Sequence, residues 1–218
     1  MHLDRRSVMK GIATASLAGS LPSLAAAEGR SLFDQGPLAR NPIARSFVRL
    51  PAQARPPVTA LLGSGGAHHM SELTGKVRIV SLWAEWCIPC LIEAKDLSRL
   101  RTRFAGPQFD VLAILTAGRA HLSFDQAGAR LTRVGATNLP TWVEPDGGRT
   151  VGQALAVDVP PHISLPCNLI IDREGRVRGR SVGIGTELPK GPTGVSHWAM
   201  PDAQAFVIAL RDGALDRL

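Results

Sequence analysis

The sequence predicts an α/β domain built on a mixed central sheet, with helices on both faces and an extra hairpin ahead of the main sheet. Three observations lead there. Val77-Arg-Ile-Val-Ser-Leu-Trp83 is an apolar, largely β-branched run of the kind that forms a buried strand. After the short turn Ala84-Glu85-Trp86, apolar residues recur three or four apart at Leu91, Ala94, Leu97, Leu100 and Phe104, which predicts a helix from Ile88 to about Phe104. Downstream, strand and helix patterns continue to alternate and finish in a hairpin and a helix.

Taken in order, Met1–Ala27 reads as a leader outside the fold. Asp4-Arg5-Arg6-Ser7-Val8-Met9-Lys10 resembles a twin-arginine export motif, with Val8 and Met9 where that pattern usually has Phe and Leu. A weakly apolar Ala/Gly/Ser stretch follows, and Ala25-Ala26-Ala27 is a small-residue cleavage signal. Pro22 and the scarcity of large side chains argue against a spanning helix of about 20 strongly apolar residues. Residues 28–57 form an N-terminal arm rich in Pro, Gly, Ala and Arg, with a short helix expected around Pro42–Arg49. The domain proper is expected over residues 58–218. It opens with a hairpin, Val58–Leu62 and Ala67–Met70, around Gly63-Ser-Gly-Gly66.

Beyond the central helix, Phe109–Thr116 predicts a strand, Phe124–Val134 a helix, Leu139–Val143 a short strand and Val151–Val157 a short helix. Asn168–Asp172 and Arg176–Val182 flank Arg173-Glu174-Gly175 as a second hairpin. Gly183–Trp198 is a Gly/Pro-rich loop long enough to carry a role of its own. Pro201 opens a last helix to about Asp212, with Phe206, Val207 and Leu210 on its apolar face.

Composition narrows the function. The net charge of +7 falls to +5 once the leader takes away three of the 25 basic and one of the 18 acidic residues. The excess is scattered and forms no cluster of the kind that reads nucleic acid. At most it draws acidic partners or anionic lipid weakly to the surface. Adjacent His68 and His69 on a strand point to opposite faces and make a poor metal site. Three cysteines are too few to staple a scaffold, yet in an oxidising compartment one pair is chemically significant.

That pair is Cys87 and Cys90, in Trp86-Cys-Ile-Pro-Cys90, where a strand feeds a helix. Two cysteines two residues apart in this setting mark a thiol–disulfide redox site. The unpaired N–H groups of a helix's first turn stabilise an anion, and thiols in such motifs have pKa values lowered from about 8.5 to roughly 3.5–7.5. Pro89 is tolerated in that turn. These considerations make Cys87 the expected nucleophile and Cys90 the resolving thiol. The rival readings are half of a zinc site or two inert core cysteines. Zinc would need two further ligands, and no second Cys pair or closely spaced His pair follows at the usual distance.

Here the chain resembles a known family. Ser71-Glu-Leu-Thr-Gly-Lys-Val-Arg-Ile-Val-Ser-Leu-Trp-Ala-Glu-Trp-Cys-Ile-Pro-Cys-Leu-Ile-Glu93 looks like the active-site segment of TlpA/ResA-type thioredoxin-like proteins, and Leu165-Pro-Cys-Asn-Leu-Ile-Ile-Asp-Arg-Glu-Gly-Arg-Val177 resembles their later strand–turn–strand. The likeness spans roughly Ser71 to Leu210. It implies a thioredoxin-like fold and a periplasmic thiol:disulfide oxidoreductase that needs no cofactor and holds no metal. Its partners would be disulfide-bearing proteins, such as apocytochrome c or copper-site cysteines, and a membrane electron donor that re-reduces the pair.

The resemblance also implies site residues. A cis-proline faces the Cys pair in this fold, and the likeness assigns it to Pro166 rather than to Pro140 of the similar-looking Leu139-Pro-Thr-Trp142. Trp86, Pro89, Leu165 and Pro166 would then line the substrate groove. Glu93, three residues beyond Cys90 and on the same helix face, would accept the proton of Cys90, with a pKa raised by partial burial. Ser81 stands where cytoplasmic thioredoxins carry a buried Asp, so an internal base has to come from elsewhere. Ile88-Pro89 lacks the His of strongly oxidising periplasmic enzymes, which favours a reductase. Cys167, next to Pro166 and hence near the pair, is expected to be a buried thiol that takes no part in redox chemistry. The alternative from another class is a Sco-like copper chaperone, but those proteins use CxxxC with a distal His, against CxxC here. The export reading predicts that N-terminal sequencing of the mature protein begins at Glu28.

Overall fold

The computed structural model describes residues 30–50, 56–155, 164–183 and 196–218. The leader and most of the Gly183–Trp198 loop lie outside them. In chain order the elements are α1 (Pro42–Arg45), β1 (Val48–Arg49), β2 (Ala60–Gly63), β3 (Gly66–His69), β4 (Val77–Trp83), α2 (Ile88–Phe104), β5 (Phe109–Leu115), α3 (Phe124–Arg133), β6 (Thr141–Val143), α4 (Thr150–Leu155), β7 (Cys167–Ile171), β8 (Val177–Val182) and α5 (Pro201–Arg211). The strands form one mixed sheet in the order β1-β8-β7-β4-β5-β6-β2-β3. β4, β5 and β6 run parallel to one another, while β7, β8, β1, β2 and β3 each pair antiparallel to their neighbours. The expected α/β architecture, with its N-terminal hairpin, is the one observed.

Period-two alternation sorts the core into two layers. On β4, Val77, Ile79 and Trp83 join Val111, Ala113 and Leu115 of β5 under α2 and α5. Val80 and Leu82 join Leu112, Ile114, Leu169 and Ile171 on the other face, under α4 and the Met70–Leu73 turn. The N-terminal arm belongs to the first layer: Leu32, Phe33, Ile43 and Phe47 are buried there, and the rings of Phe33 and Phe47 each lie 5.4 Å from that of Phe206.

Where element ends differ from the sequence expectation, a local hydrogen bond accounts for it. α1 is one turn rather than two, because Val48 and Arg49 pair with Arg180 and Gly179 at the sheet edge. β6 starts at Thr141, since Pro140 has no N–H and joins the ladder only through its carbonyl, 2.9 Å from the amide of Ala113. β7 ends at Ile171, since Asp172 turns its Oδ1 back to accept from the amides of Glu174 and Arg176.

The hairpin β2–β3 is pinned to β6 by the Leu62–Val143 pair and by His68, whose ring stacks on Trp142 with centroids 4.8 Å apart. His68 also bonds Glu72 and the carbonyl of Ser64. Gly63 lies beneath that stack, and a Cβ there would collide with the Trp142 and His68 rings. Gly63→Ala is therefore expected to lower stability by about 1–3 kcal/mol through this overpacking, read as a reduced denaturant midpoint.

Candidate redox site

β4 ends in the turn Ala84–Trp86, which delivers Cys87 to the start of α2. Cys87 is the helix N-cap, and its Sγ accepts a hydrogen bond from the amide of Cys90 at 3.3 Å. Pro89 sits in the same first turn. The two sulfurs are joined in a disulfide, with Cα atoms 5.3 Å apart, inside the range a disulfide requires. Cys90 is 1% exposed and Cys87 4%, whereas neighbouring Ile88 is 69% exposed and Trp86 40%. The pair thus lies just under an apolar surface rim.

Trp86 is held from behind. Its Nε1 donates to the carbonyl of Ala117 at 3.0 Å, and the Arg119 guanidinium lies 4.5 Å from its ring centroid. Glu85 clasps the same loop: one carboxylate oxygen accepts from the amides of Arg119 and Ala120 at 2.7 and 2.9 Å. The β5–α3 loop is in this way tied to the residues directly before Cys87. Neither Glu85 nor Arg119 was singled out by the sequence, because only tertiary contact joins them.

The Leu165–Pro166 peptide is cis, and Pro166 is buried with Leu165 partly buried beside it. The register Leu82–Cys167 between β4 and β7 puts Pro166 beside the C-terminal end of β4, the end that carries Cys87. Pro140 has no cis bond. The same register decides which face of the sheet Cys167 takes. Cys87 and Cys90 belong to the first core layer and Cys167 to the second, because the pleat turns its side chain to the other face. There its Sγ lies 3.8 Å from the carbonyl of Leu155, fully buried.

Glu93 is more deeply buried than expected, at 0% exposure. Its Oε2 accepts from Asn168 Nδ2 at 2.9 Å and from Trp198 Nε1 at 3.4 Å. Its Oε1 faces Nδ1 of His197 at 3.7 Å. Burial pushes the Glu93 carboxyl up to about 7, and the charge of Asp96 adds to this, against the pull of the Asn168 and Trp198 hydrogen bonds. Burial pushes His197 down to about 4, with Asp96 acting the other way. Asp96 anchors this corner: its Oδ2 accepts from the amide and hydroxyl of Ser196 at 2.9 and 3.0 Å, and its Oδ1 from Arg99 at 3.1 Å. Asn168, His197 and Trp198 have no periodicity or spacing that ties them to Glu93 in the sequence, whereas Asp96, three residues further along the same helix, does.

Comparison with known proteins now places the chain. The model of the AhpC/TSA family matches residues 51–180. The chain belongs to the AhpC/TSA family. Within this thioredoxin-like group, the thiol:disulfide interchange protein HelX of Rhodobacter capsulatus is 27% identical over 116 residues, which cover 52% of this chain and 56% of HelX. The match therefore spans little more than half the length of that relative. A candidate thiol:disulfide interchange protein DsbE from Chlorobium tepidum shares the fold, with a TM-score of 0.51 and 24% identity over 77% of this chain and 97% of its own. So does the thioredoxin domain of a thiol-disulfide oxidoreductase from Bacteroides vulgatus, with a TM-score of 0.52 and 14% identity over 72% of this chain and 99% of that domain.

The buried acid and imidazole make stability depend on pH in opposite senses. The folded Glu93 carboxyl sits at about 7 against an ordinary 4.5, so its contribution is full below pH 4.5 and is lost as pH rises to 7. Folded His197 sits at about 4 against an ordinary 6.5, so stability is gained as pH rises from 4 to 6.5. The two slopes offset each other over most of that range. Glu93→Gln removes the first slope. Relative to the native protein it should gain up to about 3 kcal/mol on going from pH 4.5 to pH 7.5, by denaturant unfolding at both values. An unchanged difference would exclude the raised carboxyl pKa.

Proposed function

We propose that this protein is an exported thiol:disulfide oxidoreductase that works as a reductase of protein disulfides. The carrying observation is the Cys87–Cys90 disulfide at the N-terminus of α2, with Cys87 Sγ accepting the amide of Cys90. A sulfur in that position has its thiolate stabilised by the helix end and by a charge-assisted hydrogen bond. The match to HelX, an interchange protein by description, supports the same chemistry.

In the reduced protein, the Cys87 thiolate attacks one sulfur of a substrate disulfide. The substrate's S–S bond breaks, its other sulfur leaves as a thiolate, and a mixed disulfide forms with Cys87. Cys90 then attacks the Cys87 sulfur. The mixed bond breaks, the substrate leaves fully reduced, and the Cys87–Cys90 disulfide is restored. The Cys90 proton passes to Glu93, one helical turn away and raised in pKa to about 7, close to the working pH of a general base. Trp86, Pro89, Leu165 and Pro166 line the groove that receives the substrate.

The leader would carry the chain to the periplasm by the twin-arginine route, where a membrane electron donor re-reduces the pair. Cysteines of apocytochrome c or of a copper site, both implied by the TlpA/ResA-type resemblance, are the proposed substrates. Arginines such as Arg119 on the exposed face would favour acidic partners and anionic lipid only weakly.

With dithiothreitol as donor, the mature protein should reduce insulin, and Cys87→Ser should abolish turnover. Cys90→Ser should keep the first attack and accumulate mixed disulfide, seen as a covalent adduct on a non-reducing gel. Adduct formation through Cys90 in place of Cys87 would reverse the two roles.

A further inference from the structure

Buried polar atoms that lack a partner are rare in folded proteins and need a reason. Among the described residues four side-chain atoms are in that state, and three of them, Glu93 Oε1, His197 Nδ1 and Asn168 Oδ1, belong to one corner behind the Cys pair. Two of the three face each other directly, Oε1 and Nδ1 being 3.7 Å apart. His197 is 3% exposed and takes no part in the chemistry assigned above.

The arrangement of donors around Glu93 decides what the histidine does. Oε2 receives two N–H donors, from Asn168 and from the Trp198 indole, and the indole nitrogen can only donate. A proton arriving on the carboxyl therefore belongs on Oε1, which has no hydrogen-bond partner among the described residues and faces Nδ1 of His197. That nitrogen can accept when the imidazole is neutral and carries its hydrogen on Nε2. We propose that His197 is a positioning residue of the resolving step, the acceptor for the Oε1–H of protonated Glu93 that makes the carboxyl a competent sink for the Cys90 proton. This rests on the reading of Glu93 as the proton acceptor.

The surroundings keep the imidazole in that role. Asp96, from α2, is the charged group beside it; its carboxylate is taken up by Ser196 and Arg99, and its charge favours the imidazolium. Burial opposes that and wins, so His197 is neutral at and above pH 5. Asn168 of β7, uncharged, holds the other oxygen of the Glu93 carboxyl. The Trp198 indole packs against the imidazole, with ring centroids 5.0 Å apart. In the step itself, Glu93 enters as carboxylate and leaves as acid, with its new O–H aimed at Nδ1. Cys90 loses its proton and forms the bond to the Cys87 sulfur, and the electron pair of the broken mixed disulfide leaves on the substrate thiolate. Loss of the Nδ1 acceptor destabilises the protonated acid and so lowers the Glu93 pKa.

The test is the single-turnover rate of resolution, from a preformed mixed disulfide between Cys87 and a glutathione probe, across pH 5–9. The native rate should rise with pH around the Glu93 pKa. His197→Phe should move that midpoint down by about half a unit or more and lower the plateau. His197→Asn, which keeps an acceptor at the δ position, should return the midpoint most of the way to the native value. A midpoint that stays put or moves up in His197→Phe, while Glu93→Gln still removes the pH dependence, would overturn the role of His197 and leave Glu93 standing. A pH dependence that survives Glu93→Gln would sink both. Nitrogen NMR of the native protein decides independently of how the variants fold. Nδ1 of His197 should stay unprotonated above pH 5 and shift with the Glu93 titration, and this response should vanish in Glu93→Gln. A flat Nδ1 signal, or an Nδ1–H tautomer, would refute the proposal.

Discussion

The pairing of β4 with β7 sets the rest of the molecule. Its register matches Ser81 with Asn168 and Leu82 with Cys167, and three consequences follow from that alone. Pro166 falls beside the end of β4 that carries Cys87. Asn168 turns toward α2, where it meets Glu93. Cys167 turns away, into the opposite core layer. A slip of one residue would exchange the faces, putting a thiol against the acid and the amide among Leu61, Val80 and Leu112. β4 can hold this register because it is sandwiched in mid-sheet, with seven residues paired to β5 on its other edge.

Burying Glu93 and Asp96 on α2 runs against the usual fate of carboxylates. The two are treated differently by their surroundings. Asp96 receives two donors from Ser196 and one from Arg99. Glu93 receives one short and one long donor on a single oxygen, and among the described residues its other oxygen has no hydrogen-bond partner and faces the imidazole. The better-served carboxylate does structural work, fixing the His197–Trp198 turn against the helix. The poorly served one is left free to change its protonation.

The sequence was most legible where local pattern and chemistry coincide. Val77–Trp83 and Ile88–Phe104 were read to the residue because β-branching, the turn Ala84–Trp86 and helical spacing all agree there. The cysteine pair and Pro166 were legible from motif and resemblance, and the ends of β6 and β7 were missed by one or two residues where a proline or an Asx turn intervened. The partners of Glu93 were not legible. His197 and Trp198 follow a Gly/Pro-rich stretch and lie more than a hundred residues from the acid they face, and nothing but the packing of the turn under α2 unites them. The burial of Cys167 was expected from the sequence, but not the core layer it enters, since its side depends on which residue of β7 pairs first.

The N–H···S contact at the head of α2 links two quantities that are usually discussed apart. The amide of Cys90 donates to Cys87 Sγ while that sulfur is half of a disulfide. A thiolate accepts such a bond more strongly than a disulfide sulfur does. Reduction therefore tightens the first turn, and by thermodynamic reciprocity whatever tightens the first turn favours reduction. The couple's potential is in this sense a property of the helix's first turn as well as of the two sulfurs.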